Sequence, residues 1–296
     1  MSHVQRIIVG VDGSEHSLAA VRWAAQDAAL RAVPLAIVTA LKDRLPSLAD
    51  AINLRSDRSK VVRRHAELTL EAAAEVAREA AASRDLEIST LIELGSAADI
   101  MPKLGEQSAM LVLGSRGLGE FRGGLIGSVS NSVVTHARCP ITVVKADDRS
   151  AEASALPVVV GLDGTKHSEP ALAHALTEAS IRGVDLVAVH ALIDLDPGHS
   201  ASGGLADPKL PSDADDDMAL AESLAGWQEQ FPDVHIRRET VRDRPVRQLV
   251  READQAQLIV MGSRGGGGLP TMLFGSTSQA VLHTVQTPVT IVPTSR

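Results

Sequence analysis

Tyrosine is absent from this chain, tryptophan occurs twice and phenylalanine three times. A core without rings has to be aliphatic. The 44% apolar content is carried by Ala, Val, Leu and Ile, the mixture expected where parallel sheets are covered on both faces. The single cysteine, Cys139, excludes an intramolecular disulfide, and no paired Cys/His spacing marks a structural metal. A reducing, cytoplasmic setting is expected. Residues 1–6 pass into a short apolar run that stops at Asp12, which reads as neither a signal peptide nor a membrane span. Positive charge is also scarce where nucleic acid would need it. Residues 1–147 hold 17 Lys+Arg against 17 Asp+Glu, and the remainder 12 against 20, so the net −8 comes from the second half. With no basic stripe, nucleic acid and membrane are not expected partners.

What the chain does contain is itself, twice. Val9-Gly10-Val11-Asp12-Gly13-Ser14 returns as Val160-Gly161-Leu162-Asp163-Gly164-Thr165 at an offset of 151, and Gly114-Ser115-Arg116-Gly117 returns as Gly262-Ser263-Arg264-Gly265 at 148. A period near 150 residues is a duplicated domain, since solenoid repeats are far shorter. The expected layout is a first domain at 1–147, a linker at 148–156 and a second domain at 157–296.

Short Ile/Val runs alternate with Ala-rich amphipathic stretches in each half. Strands are expected near 6–11, 35–41, 86–94, 110–113 and 141–144, and helices near 14–31, 59–84, 96–106 and 128–136. Alternation of this kind gives α/β folds, here two tandem doubly wound five-stranded parallel sheets. Pro140 and Pro288 precede the last strand of each half, where a missing N–H is tolerated. Residues 195–217, rich in Pro, Gly, Ser and Asp, read as a long loop, either a lid or a disordered connection.

Two familiar nucleotide motifs are missing: no Gly-x-x-x-x-Gly-Lys-Ser/Thr occurs, and no Gly-x-Gly-x-x-Gly opens the first strand-to-helix turn. The glycines collect instead after the fourth strand. Gly114 and Gly117 are followed, after nine intervening residues, by Gly127-Ser128, and Gly262 and Gly265 by Gly275-Ser276 at the same spacing. Glycines here would let backbone approach a phosphate and permit positive-φ turns that aim N–H groups at one point. Gly-Ser opens a helix whose free N–H groups and dipole favour an anion. The alternative is that strand-to-helix loops take glycine for their own geometry. The intervening residues have diverged between the copies (Leu118-Gly119-Glu120-Phe121-Arg122 against Gly266-Gly267-Gly268-Leu269-Pro270) while the glycine count has not, and that favours function.

Asp12 and Asp163 end the first strands on the same sheet edge. Each could accept from a base or ribose, or cap the following helix. Asp43 and Asp194 are weaker ribose candidates, and Arg116 and Arg264 could reach phosphate or lie in solvent. His16 and His167 read as exposed helix-start residues. No nucleophile–base pair, carboxylate pair or metal cluster is visible.

On the two first-strand motifs and the two Gly-x-x-Gly-(nine)-Gly-Ser loops, the chain resembles the universal stress protein family in its tandem form, ATP-binding branch, over essentially its whole length. The resemblance implies a Rossmann-like, adenine nucleotide alpha hydrolase-like fold binding ATP, with or without Mg2+, at the strand ends. It also implies two domains packing about a pseudo-two-fold axis through their last strands, a homodimer, and a role in stress response or growth control. Gly10 and Gly161 would lie near the adenosine, and Ser128, Val129, Ser276 and Thr277 at the phosphates. The nucleotide-binding set is then completed by Asp12, Gly114, Ser115, Arg116, Gly117, Leu118, Gly119, Glu120 and Gly127 in the first half. In the second it is completed by Asp163, Asp194, Gly262, Ser263, Arg264, Gly265, Gly266, Gly267, Gly268, Gly275 and Ser278. The polyglycine and Pro270 make the second loop the more mobile and weaker binder. The function expected is a nucleotide-dependent regulatory module read by an unidentified protein partner, with no catalysis beyond slow ATP hydrolysis. The alternatives are a slow ATPase or adenylyl-transfer enzyme of related fold, and a partner-binding protein with vestigial loops.

Overall fold

The computed structural model describes residues 5–41, 55–82, 85–118, 126–146, 153–192, 220, 224, 226–242, 245–264 and 274–294. Its contacts divide the chain into two units, Met1–Asp148 and Arg149–Arg296. The loop expected at 195–217 lies outside the described residues. So do Asp43, Gly119, Glu120, Asp194 and Gly265 to Gly268 among the candidate ligands.

The first unit runs β1 (Arg6–Gly10), α1 (Glu15–Arg31), β2 (Leu35–Leu41), α2 (Arg55–Ala80), β3 (Ile88–Leu94), α3 (Ala97–Gly105), β4 (Ser108–Gly114), α4 (Ser128–His136) and β5 (Ile141–Val144). The second runs β6 (Val158–Leu162), α5 (Glu169–Arg182), β7 (Leu186–Leu192), β8 (Ile236–Arg242), α6 (Pro245–Ala253), β9 (Leu258–Gly262), α7 (Ser276–Thr284) and β10 (Val289–Val292). Every pairing within a unit is parallel, in the order β3-β2-β1-β4-β5 in the first and β8-β7-β6-β9-β10 in the second. The doubly wound α/β reading therefore holds. In each unit the strand order reverses at β1/β4 or β6/β9, and a crevice opens there beyond the carboxyl ends.

The central strands are buried on both faces, with Ile7, Val9, Leu35, Ile37, Leu111 and Val112 all fully inaccessible. Such strands need no hydrophobic alternation, which is why they appear as continuous Val/Ile/Leu runs. Against them α1 lays Ala20, Val21, Ala24, Ala25 and Ala28. Small side chains let the helix come close to the sheet.

Each first helix also buries a charge. The Asp27 carboxylate, fully inaccessible, accepts from Arg31 Nε at 2.8 Å, and the fully inaccessible Glu178 does the same for Arg182 at 3.0–3.1 Å. Both are i,i+4 pairs at an offset of 151. A buried carboxylate stripped of its cation costs roughly 3–5 kcal/mol, so neither partner can drift alone.

The two helices end differently. Ala32 closes α1 in the left-handed region at φ 53°, donating its N–H to Ala28 O. Its counterpart after α5 is Gly183, at φ 64°. A side chain in that region costs roughly 1–2 kcal/mol, offset in part by the greater freedom of unfolded glycine. Ala32→Gly is therefore expected to stabilise the first unit by about 0.5–1 kcal/mol, read as a raised urea midpoint; an unchanged or lowered midpoint would count against the strain.

Candidate functional site

The turn after β1 is built by Gly13, which takes φ +84°, and by Gly164 at φ +73° in the second unit. These positive-φ residues let the chain reverse beyond the strand tip, where Asp12 and Asp163 stand. In both units the carboxylate binds the start of the next helix. Asp12 Oδ1 accepts from Ser14 N–H at 3.0 Å, and Asp163 Oδ1 from Thr165 N–H at 3.0 Å and its hydroxyl at 2.8 Å. Ser14 Oγ then accepts from Ser17 N–H as the cap of α1.

In the first unit the same turn is fastened to the glycine loop. Asp12 Oδ2 accepts from Leu118 N–H at 2.9 Å, and Ser14 Oγ donates to Arg116 C=O at 3.3 Å. A side chain at Gly117 would collide with that Asp12 carboxylate oxygen. One at Gly114 would stand 2.7 Å from the His16 carbonyl, so the first turn of α1 rests directly on the end of β4.

The positive-φ role expected of the loop glycines does not hold where the loop is described. Gly127 has φ −67° and Gly275 φ −72°, and neither Gly114, Gly117 nor Gly262 is among the positive-φ residues. Gly114 and Gly117 supply closeness, because the groups packed against them leave no volume for Cβ, whereas Gly127 has room for one. Gly10 has a packing cause of its own: a Cβ there would come within 2.8 Å of Leu113 Cδ2 and 3.2 Å of Met101 Cε.

The loop ends are fixed identically in both units. Gly127 N–H donates to Ser115 C=O at 2.7 Å and Gly275 N–H to Ser263 C=O at 2.8 Å. Ser130 Oγ donates to Gly114 C=O and Ser278 Oγ to Gly262 C=O, both at 2.7 Å. Sequence reasoning missed Ser130, and its only signal was the serine shared at offset 148. Beyond the glycine caps, which carry no side chain to accept, the N–H groups of Ser128, Val129, Ser276 and Thr277 have no partner among the described residues. Orphan donors at a helix start, with the dipole behind them, attract an anion.

His16 is half-buried, not exposed as expected: its Nδ1 accepts from Ala146 N–H at 2.8 Å. Burial, then the Arg116 guanidinium, hold its pKa below the usual 6.5. Just after β5 lies Lys145, which the sequence did not single out. It is buried, and burial followed by Arg116 lowers its ammonium to about 8. Arg116, exposed at the loop, thus has two basic neighbours. In the second unit Pro293 stands where Lys145 does, and His167 is exposed. The first loop has the more positive surroundings. Among the described residues no group of three or more His, Cys, Asp or Glu could hold a metal ion, and no helix is long and apolar enough to cross a membrane.

The universal stress protein family matches residues 3–145 and again 156–293. The chain belongs to that family. Among its relatives is universal stress protein Rv2005c of Mycobacterium tuberculosis, 39% identical over 297 residues that cover 96% of each chain. A universal stress protein of Mycolicibacterium smegmatis is 39% identical over 294 residues, covering 97% of this chain and 96% of that one. Among solved structures, a universal stress protein from Archaeoglobus fulgidus superposes with a TM-score of 0.70 at 22% identity, covering 99% and 98% of the two chains. The fold is thus the family's, in its tandem form.

His16 gives the site a pH signature. In the folded state its pKa lies below 6.5, so the native chain binds fewer protons than the unfolded one near that value. The stability contributed by neutral His16 is present above pH 6.5 and is lost as pH falls through the folded value. His16→Ala is expected to flatten the fall in stability of the first unit between about pH 7 and 5; equal slopes in wild type and variant would refute the assignment.

Proposed function

We propose that each unit binds ATP, with or without Mg2+, at its glycine loop, and that the chain acts as a nucleotide-dependent regulatory module with little or no catalysis. One observation carries the reading: at the switch point of both sheets, the same hydrogen bonds hold a helix start with unpartnered N–H groups beside a strand-end glycine. Membership of the universal stress protein family supports it. The donors suit a phosphate chain held by Ser128, Val129 and Arg116 in the first unit, and by Ser276, Thr277 and Arg264 in the second, with Ser278 bracing the helix start. Gly10, Asp12, Gly161 and Asp163 line the adenosine end of the crevice. The negative charge of ATP would lie beside Arg116 and Lys145. Asp12 and Leu118 have to part, or share a donor, if the carboxylate is to accept from a base or ribose.

Sites of this kind differ in strength. The first has Lys145 and His16 near its arginine; the second has Pro293 and an exposed His167, and a polyglycine run at 265–268. The second is accordingly the weaker. A homodimer and a protein that reads the nucleotide-bound loops complete the proposal, in a stress or growth-control role within the cytoplasm.

A Cβ at Gly127 would meet nothing closer than Ser115 O at 3.5 Å, and its φ of −67° suits alanine. Gly127→Ala should therefore fold normally and crowd only the phosphates. By calorimetry we expect ATP affinity at the first site to fall at least about tenfold with Tm unchanged, a loss of about 1.4 kcal/mol. Unchanged affinity there, and likewise in Gly275→Ala, would remove the sites. Steady-state phosphate release separates a regulatory module from an ATPase, and turnover faster than about 1 per second would favour the enzyme.

A further inference from the structure

Strand β3 ends the first sheet, and among the described residues nothing pairs with its outer side. Leu35 N–H donates to Glu87 C=O and Gly95 N–H to Leu41 C=O, so the odd residues of β3 turn their backbone groups to β2. The even residues Ile88, Thr90, Ile92 and Leu94 point theirs outward. Edges like this invite another strand, and natural sheets blunt them with charge. The second unit does so: the equivalent strand β8 reads Ile-Arg-Arg-Glu-Thr-Val-Arg, with Arg237 paired to Glu239 and Glu252. Strand β3 reads Ile-Ser-Thr-Leu-Ile-Glu-Leu, its one charge being Glu93, and exposes Leu91 at 39% and Leu94 at 73%. The two edges therefore differ in their protection.

We propose that β3 is the dimerisation edge, two copies of this chain pairing their β3 strands antiparallel about a two-fold axis at Leu91. Charge selects the register, and that register leaves the strand complementary to itself. An axis at Thr90 would set Glu87 against Glu93, one at Ser89 would set Asp85 against Glu93, and one at Glu93 would oppose it to itself. Like charges directly opposite destabilise a sheet. An axis at Ile92 leaves Ile88 without a partner. Centred on Leu91, the outward groups of Thr90 meet those of the second copy's Ile92, and Ile88 meets Leu94. Glu93 faces Ser89, and the two Leu91 side chains meet on the axis. Residues opposite each other share a face, so the second copy's Ile92 stands beside Thr90. There it lies at the open side of the roughly 310 Å3 groove between α2 and β3, which Leu70, Ala74, Thr90 and Ile92 line together with the charged Glu67, Glu71 and Arg78. The surface is self-complementary, as an isologous interface requires.

This inference rests on the homodimer in the proposed function and is independent of nucleotide. Light scattering of the full chain should give twice 31.1 kDa at micromolar concentration. Thr90→Pro removes an outward N–H without touching β2, and Leu91→Lys opposes two ammonium groups. Both should give 31.1 kDa with an unchanged circular dichroism spectrum. In a Cys139→Ala background, Leu91→Cys should form a disulfide-linked dimer on oxidation, because a non-hydrogen-bonded pair brings Cα atoms to about 4.5 Å. Ser89→Cys should stay unlinked. A monomeric wild type would overturn the dimer and this surface together. A dimeric wild type with Leu91→Lys still dimeric and Leu91→Cys unlinked would overturn the surface alone.

Discussion

The bond from Gly127 N–H to Ser115 C=O, with its twin from Gly275 to Ser263, closes the loop after the fourth strand of each unit onto its own helix. It spends the N–H of the cap and so aims those of the next two residues outward at the crevice. Everything proposed about ligand binding depends on that geometry. The serine hydroxyls of Ser130 and Ser278 brace it from the helix side, and the bare Cα of Gly114 admits the first turn of α1 beside it. An anion site made of backbone donors on rigid elements needs no reorganisation to receive its ligand.

The duplicated framework was legible because it depends on pattern. Buried parallel strands must be aliphatic runs, crossover helices must be amphipathic, and a proline can precede only a strand that tolerates it, as Pro140 and Pro288 do. The glycine spacing of the loops was legible for the same reason. What the glycines do was not. They were expected to supply positive φ, but among the described residues that conformation falls to Gly13 and Gly164 in the neighbouring turn and not to Gly114, Gly117, Gly127, Gly262 or Gly275. The reason lies in contacts between residues far apart in sequence, such as Asp12 with Leu118, 106 positions on. No periodicity reports such a meeting. Lys145 was missed likewise, since its significance comes from burial beside Arg116 and not from any motif. The buried Asp27–Arg31 and Glu178–Arg182 pairs did leave a trace, an i,i+4 acid–base pair repeated at one offset.

Both units keep the loop closure, the serine brace and the buried helix pair. They part at two places. The first has Lys145 near its loop and a sheet edge with a single charge, Glu93; the second has Pro293 and an edge with four charged residues.

The central claim is that each glycine loop holds a nucleotide. Calorimetric titration of the full chain with ATP, alongside mass spectrometry of natively purified protein, reads it directly. The account predicts two ATP molecules per chain at saturation, the tighter lost in Gly127→Ala and the weaker in Gly275→Ala. A chain that binds no adenine nucleotide and carries none when purified would contradict it.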